Sequence, residues 1–444
     1  MPADPKRIEA DPTKDLFIQM LVKDIPLSRA IIDLVDNSVD GARALKGNAS
    51  YAKLFVHLNT SKDSFTITDN CGGMPVAIAR EYAFRFGRPT DMPLSLQTRH
   101  SVGQFGVGMK RAIFKMGRHF TVYSTTATSH FEVDENVDEW KLREKWDFRF
   151  KVLAENVKQP EKAVRGTTIK VTKLLPSVAD DLTSDLFLKS LVSELADAHE
   201  INIGRGLEIK INGNAVPHKP PKLYSSPKVH PARLTTKKTE AKTKVDIVIY
   251  AGIFESNPDE GGWYVYCNGR LILRADGSIT TGWGEKVMAK IPKYHPQFAR
   301  FRGYTFLDSD NPALLPWNTT KTGVDADSVL YQGVRREMVL LMKPVIDLLN
   351  AMHREDRRPS KPLQTMVENM DNNEKTHVLL SSIKKNGMFT WPKPKEAPMS
   401  ETVDIKYKRP KARVDKLKKF FKVRKASEVG EKTFDYVYKL EGVD

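Results

Sequence analysis

Ala30, Ile31, Leu34 and Val35 recur at helical spacing within Ser28–Arg43 and predict an amphipathic helix. Phe65 and Ile67 alternate with Thr66 and Thr68, the pattern of a half-buried strand, and Asp69 stands where that strand ends. Met109, Ala112, Ile113 and Met116 again have helical spacing, directly after a glycine-rich run. Further on, Leu207–Gly213 alternates into an Asn-Gly turn, and Val245–Tyr250 and Gly262–Leu273 read as additional strands. Helical patterns cover Asp181–His199 and Val345–Met352. Val414, Leu417, Phe420 and Phe421 give a last helical stripe among basic residues.

The polar positions on these elements carry the candidate chemistry. Asp33 and Asn37 lie four apart, so they project from one helix face one turn apart, and Asp36 and Asp40 form a second such pair. An amide and carboxylates so placed can hold a hydrated Mg²⁺ and orient water, because Mg²⁺ takes oxygen ligands and keeps several waters. Alone, the same residues also describe a solvated acidic face. Asp69-Asn-Cys-Gly72-Gly73-Met74 combines a carboxylate at a strand end with glycines that permit close backbone approach. That carboxylate can accept a hydrogen bond from an exocyclic amine such as adenine's; an ordinary hairpin turn reads the same way. Gly103-Gln104-Phe105-Gly106-Val107-Gly108-Met109-Lys110 opens a helix and presents backbone N–H groups, an arrangement suited to phosphates. It lacks a leading parallel strand for a dinucleotide fold and the Gly-Lys-Ser/Thr ending of a P-loop.

Taken in order, D-x-x-x-N on a helix, D-x-C-G-G-M after a strand and G-x-x-G-x-G-x-K resemble the GHKL ATPase superfamily. That group comprises gyrase-type topoisomerases, ninety-kilodalton heat-shock chaperones, sensor histidine kinases and MutL. Arg165-Gly166-Thr167-Thr168-Ile169-Lys170-Val171 is similar to its fourth signature. The resemblance implies an α+β chain: a Bergerat-type ATP-binding α/β sandwich, a smaller α/β transducer domain and here a basic C-terminal region. It implies ATP and Mg²⁺ as cofactors. Asn37 would ligate the metal, Asp69 would read adenine, Gly73 and Met74 would flank the base, and Thr168 would support the adenine end. Gly103, Gln104, Phe105, Gly106, Val107, Gly108 and Lys110 would contact phosphates at the end of a lid running from about Gly87. Asp33 stands where hydrolysing members carry a Glu base; its carboxylate sits roughly 1.5 Å further back, which implies a shifted water or slow turnover. Trp263–Arg270 resembles the transducer strand and turn, closest to the MORC branch and its bacterial relatives. Lys321, in the loop after Trp317-Asn318, is the candidate lysine for the γ-phosphate.

Length and charge sharpen this. A chain of 444 residues is expected to hold two to three domains. The expected division is an ATP-binding domain over 1–175, a transducer over 176–345 with Pro316 and Pro344 bracketing its end, and a linker with a basic module over 346–444. No apolar run reaches the roughly 18 residues of a membrane helix, and the start of the chain has no secretory pattern. With only Cys71 and Cys267, the expectation is a cytoplasmic protein without a disulfide framework. Net charge is +16. It concentrates in Pro217–Lys244, read as a mobile basic loop, and in Lys406–Lys425, where eleven Lys and Arg face one Asp. Such segments fit a phosphate backbone, so DNA is the expected partner; a membrane surface or an acidic protein shares the signature.

These features point to an ATP-gated clamp of MORC-like type in genome maintenance or defence. As the resemblance implies, ATP-binding domains would pair as a nucleotide-dependent homodimer, with residues 1–20 crossing to the partner. A protein-directed chaperone or signalling ATPase, and a nucleotide-binding scaffold with little turnover, are the competing readings. A histidine kinase is disfavoured because no His precedes the first motif, and gyrase because no strand-cleaving half is visible.

Overall fold

Two sheets, each closed on one side by its own hydrophobic cluster, organise the chain. The computed structural model describes residues 12–23, 25–47, 49–87, 100–103, 106–158, 164–240, 243–318, 320–356, 359–393 and 405–441. Met1–Pro392 forms one unit and Lys393–Asp444 a second.

The first sheet contains β1 (Phe55–Thr60), β2 (Ser64–Asp69), β3 (Gly117–Thr125), β4 (His130–Asn136), β5 (Phe150–Ala154), β6 (Gly166–Leu174), β7 (Glu208–Ile211) and β8 (Asn214–Ala215), in the order β5-β4-β3-β6-β2-β1-β7-β8. All neighbours are antiparallel except β1 and β7. Its inner face buries Val56, Leu58, Phe65, Ile67, Val122 and Val171. The helices α1 (Lys14–Lys23), α2 (Leu27–Lys46), the short turn α3 (Val76–Ile78), α4 (Gly108–Met116), α5 (Val137–Leu142), α6 (Pro176–Thr183), α7 (Asp185–Ala198) and α8 (Glu200–Gly204) complete this part of the chain. Strict alternation along β2 sets Phe65 and Ile67 inward and Asp69 at the rim.

The first cluster runs on through Leu191, Leu195, Ile209 and Val216. The first core thus extends past the division expected at 175, because the apolar faces of α6, α7 and β7 pack on it. The second sheet follows β9 (Lys222–Tyr224) and has the order β10-β11-β14-β12-β13, built from β10 (Ala232–Glu240), β11 (Thr243–Ile253), β12 (Gly262–Cys267), β13 (Arg270–Asp276) and β14 (Phe301–Ser309). The segment read as a mobile basic loop, 217–244, is thus about half strand: β10 pairs with β11 from Ala232↔Ala251 to Glu240↔Thr243. Its Thr residues favour extended backbone, and Lys237 and Lys238 blunt an exposed sheet edge.

Helix α9 (Val329–Glu355) lays Val334, Met338, Met342, Val345 and Leu349 on the second core. It passes straight through Pro344, which does not end the domain as expected. The apolar period continues on both sides of the proline, and packing outweighs one lost helix hydrogen bond. α10 (Pro362–Asp371), β15 (His377–Leu379, paired with β9) and Phe389 join this part of the chain, with Leu363, Val367 and Phe389 in the same core. The expected linker at 346 therefore begins only beyond Pro392. The second unit contains α11 (Lys411–Phe421) and α12 (Ala426–Leu440), which pack on each other and bury only Val429 among their helical residues.

Candidate functional site

Helix α2 is buried nearly all round. Ala30, Ile31, Leu34 and Val35 face the first core, while Asp33 and Asp36, on the side expected to be solvated, are also buried. Asn37 alone among its central residues is exposed, and it opens into a cavity of about 500 Å³. Asp33, Asn37, Asp69, Gly73, Met74, Gly103, Gly106, Val107, Gly108, Lys110 and Lys321 all line this space. Gln104 and Phe105 lie outside the described residues, as does most of the expected lid from Gly87. Asp40, from the second acidic pair, and Arg111, next to Lys110, also line the cavity, together with Ser38, Tyr82 and Thr167, to which the sequence reading gave no role.

At one end, Asp69 is held by three donors. Ser38 Oγ donates to Oδ2 at 2.7 Å, and the N–H groups of Cys71 and Thr167 donate to Oδ1 at 2.9 and 3.2 Å. Burial pushes the Asp69 carboxyl above its ordinary range, against the pull of these donors. Gly73 has φ +73°, and a Cβ there would stand 2.1 Å from the Thr125 carbonyl oxygen. Only glycine lets this turn close over β3.

Thr168 does not reach the cavity. Its hydroxyl donates to Thr68 Oγ1 at 3.2 Å, on the opposite face of the sheet, and Thr167 lines the cavity in its place. The two residues are adjacent on β6, so period-two alternation sends them to opposite faces. Ser124 Oγ and Thr167 Oγ1 are 2.9 Å apart, and Ser124 Oγ accepts from Met74 N–H at 2.7 Å, linking β3, β6 and the glycine turn.

At the other end, α4 starts at Gly108 with no side-chain cap from Val107, so its first-turn N–H groups carry the partial positive charge of a helix N-terminus beside the cavity. Lys110 is buried. Its ammonium donates to the Ala83 carbonyl at 2.7 Å and to the Gly106 carbonyl. Burial draws its pKa down to about 7. Asp40 accepts from Val102 N–H and Gly103 N–H at 2.7 and 2.8 Å, fixing the backbone that enters the glycine run. Asn37 Oδ1 lies 3.5 Å from the place a Cβ on Gly103 would occupy. An exposed amide oxygen beside this glycine backbone fits one protein ligand for Mg²⁺, with phosphates and water supplying the remainder.

Lys321 arrives from the second core, 288 positions along from Asp33. Its ammonium is 3.2 Å from Asp33 Oδ1 and 2.7 Å from Asp36 Oδ2. Burial works against this charge, but Asp33 and Asp36 hold its pKa above the ordinary value. Asp36 also accepts from Arg270 Nε at 3.0 Å, and His199 Nε2 is 3.5 Å away. Burial disfavours the Asp36 carboxylate, yet Lys321 and Arg270 outweigh it and bring its pKa to about 2. His199 is driven to about 3, chiefly by burial, and is neutral at ordinary pH. Arg111 pairs with Asp33 Oδ2; its Nε has no acceptor among the described residues.

The turn that supplies Arg270 also supplies Asn268. Its carbonyl accepts from Arg43 at 2.9 Å, and its side-chain amide donates to Ser101 and Ser309 carbonyls at 3.1 and 3.2 Å. Sequence reasoning placed this turn in a second domain without foreseeing its contact with α2. The signal was present only as buried-type charges, Asp36 and Arg270, with no local partner.

A search of curated proteins finds no match. Residues 25–167 match the family model described as histidine kinase-, DNA gyrase B-, and HSP90-like ATPase. This span includes α2, the Asp69 turn, the glycine run and Thr167 on β6, and residues 25–167 are an ATPase domain of the GHKL superfamily.

Proposed function

We propose that the cavity binds Mg²⁺-ATP, hydrolyses it slowly, and uses the nucleotide to control pairing and clamping on DNA in a MORC-like manner. The observation that carries this reading is Lys321: a cation rooted beside the second core enters the cavity 3.2 Å from Asp33. Asp69 would accept from the adenine amine with Thr167 beside it. The α4 N-terminus and Lys110 would meet the phosphates, and Asn37 would ligate the metal. A bound Mg²⁺ would offset phosphate charge and polarise the terminal phosphoryl group. Lys321 would leave Asp33 and Asp36 for the γ-phosphate, drawing its loop and the second core with it. A nucleotide shifts such an equilibrium only by binding one arrangement more tightly, and the exchange of Lys321 partners supplies that difference.

The DNA part rests on the exposed basic residues of α11 and on Lys237 and Lys238 of β10. Light scattering with a non-hydrolysable ATP analogue, with and without duplex, tests the reading. The expected result is a nucleotide-dependent doubling of mass and salt-sensitive duplex binding. An unchanged mass removes the gated dimer, and affinity independent of salt removes the DNA partner. One observation favours a second reading, a scaffold with little turnover: both Asp33 oxygens are already engaged by cations.

A further inference from the structure

Asp33 and Arg111 are nearly inaccessible, with side-chain exposures of 4% and 9%. Arg111 lies on α4, immediately after Lys110, and packs against α2 within the same core. The two oxygens of Asp33 therefore have partners of different origin: Arg111 on Oδ2, Lys321 on Oδ1. Only the second partner is rooted beside the other core. If Lys321 transfers to a terminal phosphate, Oδ1 loses its cation while Oδ2 stays held. A short carboxylate with a broad terminal torsion would otherwise turn freely, and a general base needs a fixed lone pair.

We propose that Arg111 is a positioning residue that fixes the Asp33 carboxylate plane so that Oδ1, uncovered by Lys321, faces the attacking water. This rests on the nucleotide reading above. In the step, water oxygen bonds to the terminal phosphorus as its proton passes to Asp33 Oδ1. The bond from phosphorus to the bridging oxygen breaks, and that oxygen leaves on ADP. Inorganic phosphate departs, and Asp33 returns its proton to solvent. The spare Nε–H of Arg111 makes a direct phosphate contact the competing role, and affinity separates the two.

The test measures steady-state turnover and calorimetric binding of a non-hydrolysable ATP analogue on the full chain. Arg111→Gln is expected to lower kcat by about 10-fold or more, a part of the roughly 10²–10⁴-fold that a general base contributes, with analogue affinity held within about 3-fold, about 0.65 kcal/mol. Arg111→Lys should recover part of the rate. Should Arg111→Gln fail to fold, Arg111→Lys carries the test through a fall in kcat at unchanged affinity. An unchanged kcat, or analogue binding weakened as much as kcat/KM, overturns the assignment. Binding by the intact protein without any turnover also overturns it, while leaving the nucleotide site standing. No analogue binding by the intact protein removes the nucleotide reading itself.

Discussion

The charges around α2 and those along α11 are both dense, and they do different work. Asp33, Asp36, Arg111, Arg270 and Lys321 are all buried, each within hydrogen-bond reach of an opposite charge. The cations of α11 are largely exposed, and its ion pair Lys418–Asp415 spans 3.9 Å. Buried charges pay a large desolvation cost and are fixed by their partners, so they define geometry. Exposed charges are screened within about 8 Å at physiological salt and act together on a polyanion rather than singly on the fold.

Breaking the buried set should produce the largest effect. Arg270→Ala leaves Asp36 short of a partner and is expected to cost on the order of 3 kcal/mol, read as a lowered denaturant midpoint. Lys416→Ala on α11 should stay within about 0.5 kcal/mol; equal losses would erase the distinction.

Lys110 sharpens the comparison from inside the cavity. Its ammonium persists to about 7 in the folded protein and to 10.5 as an ordinary lysine, so between those values the unfolded chain binds more protons. This group's contribution to stability therefore rises with pH across that window. Phosphate favours the ammonium, so nucleotide affinity should fall several-fold from pH 7 to 9, and Lys110→Met should flatten that decline in a calorimetric pH series.

Thr167 and Thr168 test the placement at finer grain. Thr167→Val should weaken nucleotide binding by about 1 kcal/mol, one hydrogen bond's worth, while Thr168→Val should leave it unchanged. The reverse result would restore the position expected from sequence. The smallest effect belongs to α11: removing one phosphate-contacting lysine should reduce the slope of log affinity against log salt by about 1, with no change in nucleotide binding.

These same residues explain what the sequence revealed and what it hid. Asp33, Asn37, Asp69, Gly73, Gly108 and Lys110 were legible because each sits in a local motif whose spacing fixes its direction, and all line one cavity. Thr168 was misplaced because a one-residue change on a strand reverses the face. The partners of Asp36 were not legible: Arg270 and Lys321 lie more than 200 positions away and meet it only through packing of two cores. β10 was hidden by its lysines and by the prolines that precede it, up to Pro231, which suggest a loop when no neighbouring strand is known. α9 crosses Pro344 because burial on both sides outweighs the local break.

The central claim is most directly tested by titrating the intact chain with ATP in a calorimeter, with and without Mg²⁺. The account predicts a saturable heat that weakens without Mg²⁺ and in Asn37→Ala, and falls by about 10-fold or more in Asp69→Asn, the loss expected when a charged acceptor is replaced. No heat at millimolar nucleotide, or affinities unchanged in both variants, would contradict it.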